Sequence, residues 1–132
     1  MEETGYIIGI DWGNRRCGIA LADTETLIAT GHGESKKQDL ITNVKKIAEE
    51  VIIREIIIGF SFLSENDRQN AKIQEIVSEL EVSGFTVKME EEMFSTKMAQ
   101  NHLVEAQKKH ISKNDNVESA RIILQSWIDK HK

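Results

Sequence analysis

Asp11 is the first residue of the chain placed to do chemistry. It follows an apolar run, Tyr6–Ile10, of the kind that forms a buried strand. A carboxylate at the edge of such a strand is costly unless it is paired, hydrogen-bonded or bound to a cation. Gly13 and the segment Asn14–Arg16 come next, and a second apolar run, Cys17–Ala22, closes the unit. Two apolar runs around a short Gly/Asn-containing turn read as a β-hairpin. Gly13 and Asn14 are the residues that reach positive φ most cheaply. Asp11 therefore either accepts backbone hydrogen bonds in that turn or anchors a cation. Two other acidic stretches stand out, Glu90-Glu91-Glu92 and Asp115 with its neighbours. Each has an ordinary structural account. Ser95 or Thr96 can cap a helix, and acids near a helix N-terminus suit its dipole. Asp115-x-x-Glu118 has the spacing of a capping box. Basic residues gather at Arg15–Arg16, Lys36–Lys37 and Lys108–Lys113, as solvated faces or as phosphate contacts. The four histidines have no metal-ligand spacing, and no Gly-rich phosphate loop or Ser-His-Asp arrangement is present.

The elements that must position these residues follow from periodicity. The hairpin strands are followed by a third short strand within Glu25–Gly33, which suggests an antiparallel meander. Gln38–Ile53 is expected to be helical, with Leu40, Ile41, Val44, Ile47, Ala48, Val51 and Ile52 on one face. Arg54–Phe60 is an apolar run too short for a helix and reads as a strand buried on both faces, with Gly59 ending it. A polar loop, 61–70, leads to a helix over Ala71–Val82, stopped by Ser83-Gly84. Phe85–Met89 is the last expected strand, with three carboxylates directly behind it. Helices are expected over Ser95–Lys109 and Asp115–Lys130. The order βββ, then αβαβ, then two helices, implies parallel pairing of the later strands. The expected architecture is α/β: one mixed five-stranded sheet with helices on its faces.

The chain has 132 residues, enough for one domain with a real core. Its 39% apolar and 30% charged composition is that of a globular protein rather than a disordered one. No apolar run approaches the length of a membrane span, and the acidic MEETG start lacks the features of a signal peptide. A single cysteine, Cys17, permits no internal disulfide and fits a cytoplasmic location. The net charge of −5 means that any nucleic-acid contact depends on local placement of Lys and Arg.

The order Asp11-x-Gly13-x-x-Arg16-x-Gly18-x-Ala20, followed by Asp23, resembles the opening motif of the YqgF family. That family, also called RuvX, comprises Holliday junction resolvase-like proteins of the ribonuclease H-like superfamily. The Ile123-Leu124-Gln125-Ser126-Trp127 stretch resembles its closing helix. The resemblance spans about Ile7 to Ile128 and implies a ribonuclease H-like fold, residues 1–132 forming a single domain. It implies that Asp11 begins a metal-binding acidic site. Register with Ser95 and Thr96 puts Glu92 on the family's catalytic Glu, and Met93 where the family has Arg. Counting back from Ile123 puts Asn116 on the family's third carboxylate, with Asp115 one residue earlier. The implied catalytic set is Asp11, Glu92, Asp115 and Asn116. Asp11, Glu92 and Asp115 would hold Mg²⁺ or Mn²⁺, and Arg15, Arg16 and Lys97 would contact phosphates. The implied partner is structured RNA or branched DNA, with the protein a monomer or weak dimer. The implied activity is nuclease action, either on the 5′ end of the small-subunit ribosomal RNA precursor or on Holliday junctions. A binding protein with impaired catalysis is the alternative that Asn116, Met93 and the net charge leave open.

Overall fold

The computed structural model describes residues 4–13, 16–60, 67–91 and 115–131. Five strands form one sheet: β1 (Tyr6–Trp12), β2 (Arg16–Asp23), β3 (Ala29–Lys36), β4 (Ile53–Phe60) and β5 (Val87–Glu91). Their order across the sheet is β3-β2-β1-β4-β5. The β1/β2 and β2/β3 pairs are antiparallel, while β1/β4 and β4/β5 are parallel. This is the expected meander joined to βα units. Helices α1 (Leu40–Glu50) and α2 (Asp67–Val82) cover one face, and α3 (Asp115–His131) covers the other.

The two covered faces explain why β1 is apolar without a break. Ile8, Ile10 and Trp12 point into the larger core with Leu40, Val44, Ile47, Ile73, Ile76 and Leu80. Ile7, one position out of phase, joins Ala20, Ile57, Leu124, Trp127 and Ile128 beneath α3. The second core is made largely of small residues on the sheet side, which lets α3 lie close.

That closeness rests on glycines. A Cβ on Gly9 would lie 2.6 Å from the Leu124 Cβ, one on Gly31 2.6 Å from the Val117 Cγ1, and one on Gly59 2.7 Å from the Ile123 Cδ1. At Gly18 a Cβ would overlap the backbone carbonyl oxygen of Asn116. Gly9, Gly18 and Gly59 form a trough in the three central strands, and α3 is seated in it.

Several boundaries differ from expectation for local reasons. The third strand starts at Ala29, not within Glu25–Ile28. The Asp23 carboxylate accepts the Glu25 N–H (2.8 Å), the Asp23 carbonyl accepts the Leu27 N–H (2.8 Å), and Leu27 takes φ 59°. Those residues are spent on a turn, and the strand extends three residues further, through Glu34 to Lys36. Helix α1 begins after a 3-10 turn at Lys37–Asp39 and stops at Glu50. The β-branched run behind it goes to the sheet instead: Val51 is extended, and the Ile52 carbonyl accepts the Tyr6 N–H (2.8 Å). Helix α2 starts four residues earlier than expected, at Asp67. Gly84 closes it at φ 101° in a Schellman motif, with the Phe85 N–H on the Leu80 carbonyl and the Gly84 N–H on that of Glu81. This delays β5 by two residues, so Glu90 and Glu91 are strand residues rather than a trailing turn. Gly59 does not end β4, which runs on to Phe60. The expected helix Ser95–Lys109 lies outside the described residues.

The trough makes a direct prediction. Gly18→Ala forces α3 off the sheet, because the obstacle is backbone and cannot rotate away. We expect a loss of about 3 kcal/mol or more, a fall in Tm of roughly 10 °C. Gly33→Ala, where a Cβ meets nothing within 4 Å, is expected to be neutral or slightly stabilising. Thermal melts of the two variants check both outcomes.

Candidate active site

The parallel strands β1, β4 and β5 end on the same edge of the sheet, the edge where open α/β sheets place their ligands. Asp11 stands there, next to last in β1. Its cross-strand partners are Gly18 on β2 and Gly59 on β4. The same row continues to Glu34 on β3 and Glu90 on β5. Residues paired in one row share a face of the sheet. The row therefore reads Glu34, Gly18, Asp11, Gly59, Glu90, three carboxylates spaced by two glycines, on the α3 face. Neighbouring carboxylates in it are two strands apart, roughly 10 Å between backbones.

The first turn of α3 is brought to this row by the Gly18 contact. Asn116 rests its backbone on Gly18, beside Asp11, and its side-chain oxygen lies 3.4 Å from where a Gly13 Cβ would stand. Asp115 is the first residue of that helix. The positive end of the helix dipole is thus beside the Asp11 position. The outer carboxylates are engaged. Glu90 pairs with Lys130 at 3.2 Å. Glu34 accepts the Asn116 Nδ2 at 3.2 Å and lies 4.0 Å from the Arg16 guanidinium. Glu118, the second half of the expected capping box, has its carboxylate on Arg121 one turn further on, and that contact raises the arginine.

Gly13 does not take positive φ. Its place is set by space, since a Cβ would lie 2.6 Å from the Arg16 carbonyl oxygen. On the other face, Trp12 is buried beneath the Lys37 ammonium, 4.6 Å from its ring centroid. Burial lowers Lys37 from its ordinary value. Cys17, paired with Trp12 across the hairpin, is fully buried. Burial pushes its thiol up to about 12; Lys37 opposes this, the Asp11 charge adds to it, and a backbone hydrogen bond from Gly13 opposes it. Cys17 is a packing residue and not a nucleophile.

Of the residues expected to form the site, Asp11 and the start of α3 at Asp115–Asn116 come together, and Arg16 is exposed at the adjoining hairpin end. Glu92, Arg15, Lys97 and the Lys108–Lys113 cluster lie outside the described residues. Among the described residues no three His, Cys, Asp or Glu side chains converge on one point. The sequence reading missed Glu34, because ending β3 at Gly33 left it in a loop. It also missed Gln125, whose amide clamps the turn before β3 by accepting the Ala29 N–H (2.9 Å) and donating to the Leu27 carbonyl (3.1 Å). Its place in the Ile123–Trp127 stretch was the available signal.

The family model described as RuvX, Holliday junction resolvase, matches residues 5–130. Relatives named "Putative pre-16S rRNA nuclease" include two from different organisms. The one from Dictyoglomus thermophilum is 30% identical over 131 residues, spanning 93% of this chain and 94% of its own. The one from Synechococcus sp. is 31% identical over 137 residues, spanning 95% and 78%. Among solved structures the chain is similar to T. thermophilus RuvC in complex with Holliday junction substrate. The TM-score is 0.61 at 14% identity, over 95% of this chain and 94% of that one. That likeness identifies the fold as ribonuclease H-like.

The Cys17 environment is directly measurable. With the thiol near 12, roughly one molecule in ten thousand carries a thiolate at pH 8. Iodoacetamide is expected to leave the folded protein unmodified at that pH and to add one equivalent after denaturation, read by intact mass.

Proposed function

The chain belongs to the RuvX family, and we propose that it is a nuclease dependent on Mg²⁺ or Mn²⁺ that cleaves structured nucleic acid, with the 5′ end of the small-subunit ribosomal RNA precursor as its substrate. The observation that carries this reading is the row through Asp11. A carboxylate bracketed by glycines on both neighbouring strands, with a helix N-terminus seated beside it, is built for charge and not for packing.

The donors on offer suit a hard divalent cation: the carboxylate of Asp11 and the amide oxygen of Asn116, with the carboxylates of Glu92 and Asp115 assigned to the same site. When bound, the cation supplies Lewis acidity and an activated water for phosphodiester hydrolysis. The protein's own part is placement. Asp11 holds its carboxylate on a strand fixed by pairing on both sides. Glu92, the residue that follows β5 in the sequence, is assigned as a second carboxylate of the site. Asn116 brings an oxygen from the first turn of α3, and Asp115, the first residue of that helix, is assigned to the same site. Arg15, Arg16 and Lys97 neutralise phosphates and set the register of the substrate. The whole chain acts as one domain, a monomer or weak dimer in the cytoplasm. No helix among the described residues is long and apolar enough to cross a membrane.

A second reading, a nucleic-acid-binding protein of impaired catalysis, rests on the motif register, which sets the neutral Asn116 at the family's third carboxylate. The test separates the two. Precursor rRNA and a four-way DNA junction are incubated with the protein and Mg²⁺ or Mn²⁺. Wild type is expected to cleave, and Asp11→Asn to lose at least about 100-fold in rate, about 2.7 kcal/mol of transition-state stabilisation, with its melting temperature kept. Cleavage of the junction in preference to the precursor would move the substrate to DNA. Binding without cleavage by wild type would establish the second reading.

A further inference from the structure

An asparagine at a cation site is ambiguous. Its amide can present an oxygen, which ligates, or an N–H pair, which repels. Which way Asn116 faces is decided by its neighbour. Glu34 comes from edge strand β3, in the row of Gly18 and Asp11, and reaches the same face of the sheet. An ionised carboxylate only accepts hydrogen bonds. Its Oε2 takes the Asn116 Nδ2 at 3.2 Å, while Oε1 is turned to Arg16 at 4.0 Å. The opposite amide orientation would set two acceptors against each other. The Asn116 oxygen is therefore turned away from Glu34, to the backbone at Gly13 two residues beyond Asp11.

We infer that Glu34 is a positioning residue: by taking the Asn116 N–H it fixes that amide with its oxygen toward the Asp11 end of β1, making a neutral side chain an oxygen donor. The inference rests on the cation-site reading above. It also accounts for the pairing of residue types. An aspartate at 116 would confront Glu34 with a like charge, whereas asparagine and glutamate are complementary. The neutral amide on α3 is thus matched by a carboxylate on β3 that orients it.

The test is a double-mutant cycle on Mn²⁺ binding, with the full chain and no nucleic acid, read from the free-Mn²⁺ electron paramagnetic resonance signal. Glu34→Ala alone is expected to weaken binding roughly tenfold, the scale of losing a contact that orients a ligand. In an Asn116→Asp background the same substitution is expected to cost nothing or to tighten binding, because aspartate presents oxygen on both sides and loses a like-charged neighbour. A merely structural role for Glu34 would weaken binding in both backgrounds, and that result overturns the proposal. Glu34→Gln, which can offer either an oxygen or an N–H to Asn116, is expected to fall between wild type and Glu34→Ala. It serves as well should the alanine variant not fold. Independently of metal, the Asn116 side-chain amide in ¹H–¹⁵N spectra should carry one downfield, slowly exchanging proton that Glu34→Ala removes. An unchanged amide overturns the proposal. Mn²⁺ binding that ignores Glu34 in both backgrounds refutes this role alone. No Mn²⁺ binding by wild type refutes the cation-site reading and this role together.

Discussion

The contact between the Asn116 backbone and Gly18 is the constraint on which the rest of this structure depends. A helix packed on an ordinary sheet stands about 10 Å away, held off by side chains on both surfaces. Here the sheet withdraws its side chains along Gly9, Gly18 and Gly59, and α3 settles into the gap. The amino end of the helix comes down on the carboxyl edge of the parallel strands, where Asp11 lies. Further along, Ile123 fills the space over Gly59, Leu124 that over Gly9, and Gln125 ties the helix to the turn before β3. Helix position, site position and the choice of small residues in the sheet are one arrangement.

The electrostatics of the site follow from the same row. A glycine separates each pair of carboxylates in the row, and each outer member has a cation, Arg16 near Glu34 and Lys130 on Glu90. Asp11 at the centre has the helix N-terminus beside it. The net charge of −5 leaves any nucleic-acid contact to the local placement of Lys and Arg. The basic residue Arg16 stands exposed at the hairpin end beside the row.

Much of the fold is legible in the sequence because burial on two faces leaves unbroken apolar runs, and β1 and β4 are of that kind. The edge strand β3 is not: Ala29–Lys36 has no large apolar residue, so periodicity carries no signal, and its register shifts at a bulge opposite Ile19 and Ala20. That is why Glu34 escaped notice while Asp11 did not. The helix and strand ends were misjudged where the chain turns by local hydrogen bonding, at Asp23–Leu27 and at Gly84, since those bonds compete with pattern. The glycines were visible as residues but not as a trough, because their common role is defined only by the helix that crosses them. Asn116 was reached by counting back along the closing motif, and its partner could not be, since they are 82 positions apart.

The proposed cation site joins the row through Asp11 to the first turn of α3. The most direct measurement is an anomalous difference map from crystals grown with Mn²⁺. A peak is expected about 2.1 Å from an Asp11 carboxylate oxygen, on the α3 side of the sheet and beside Asn116. Mn²⁺ peaks elsewhere on the protein, with none at Asp11 under saturating metal, would contradict it.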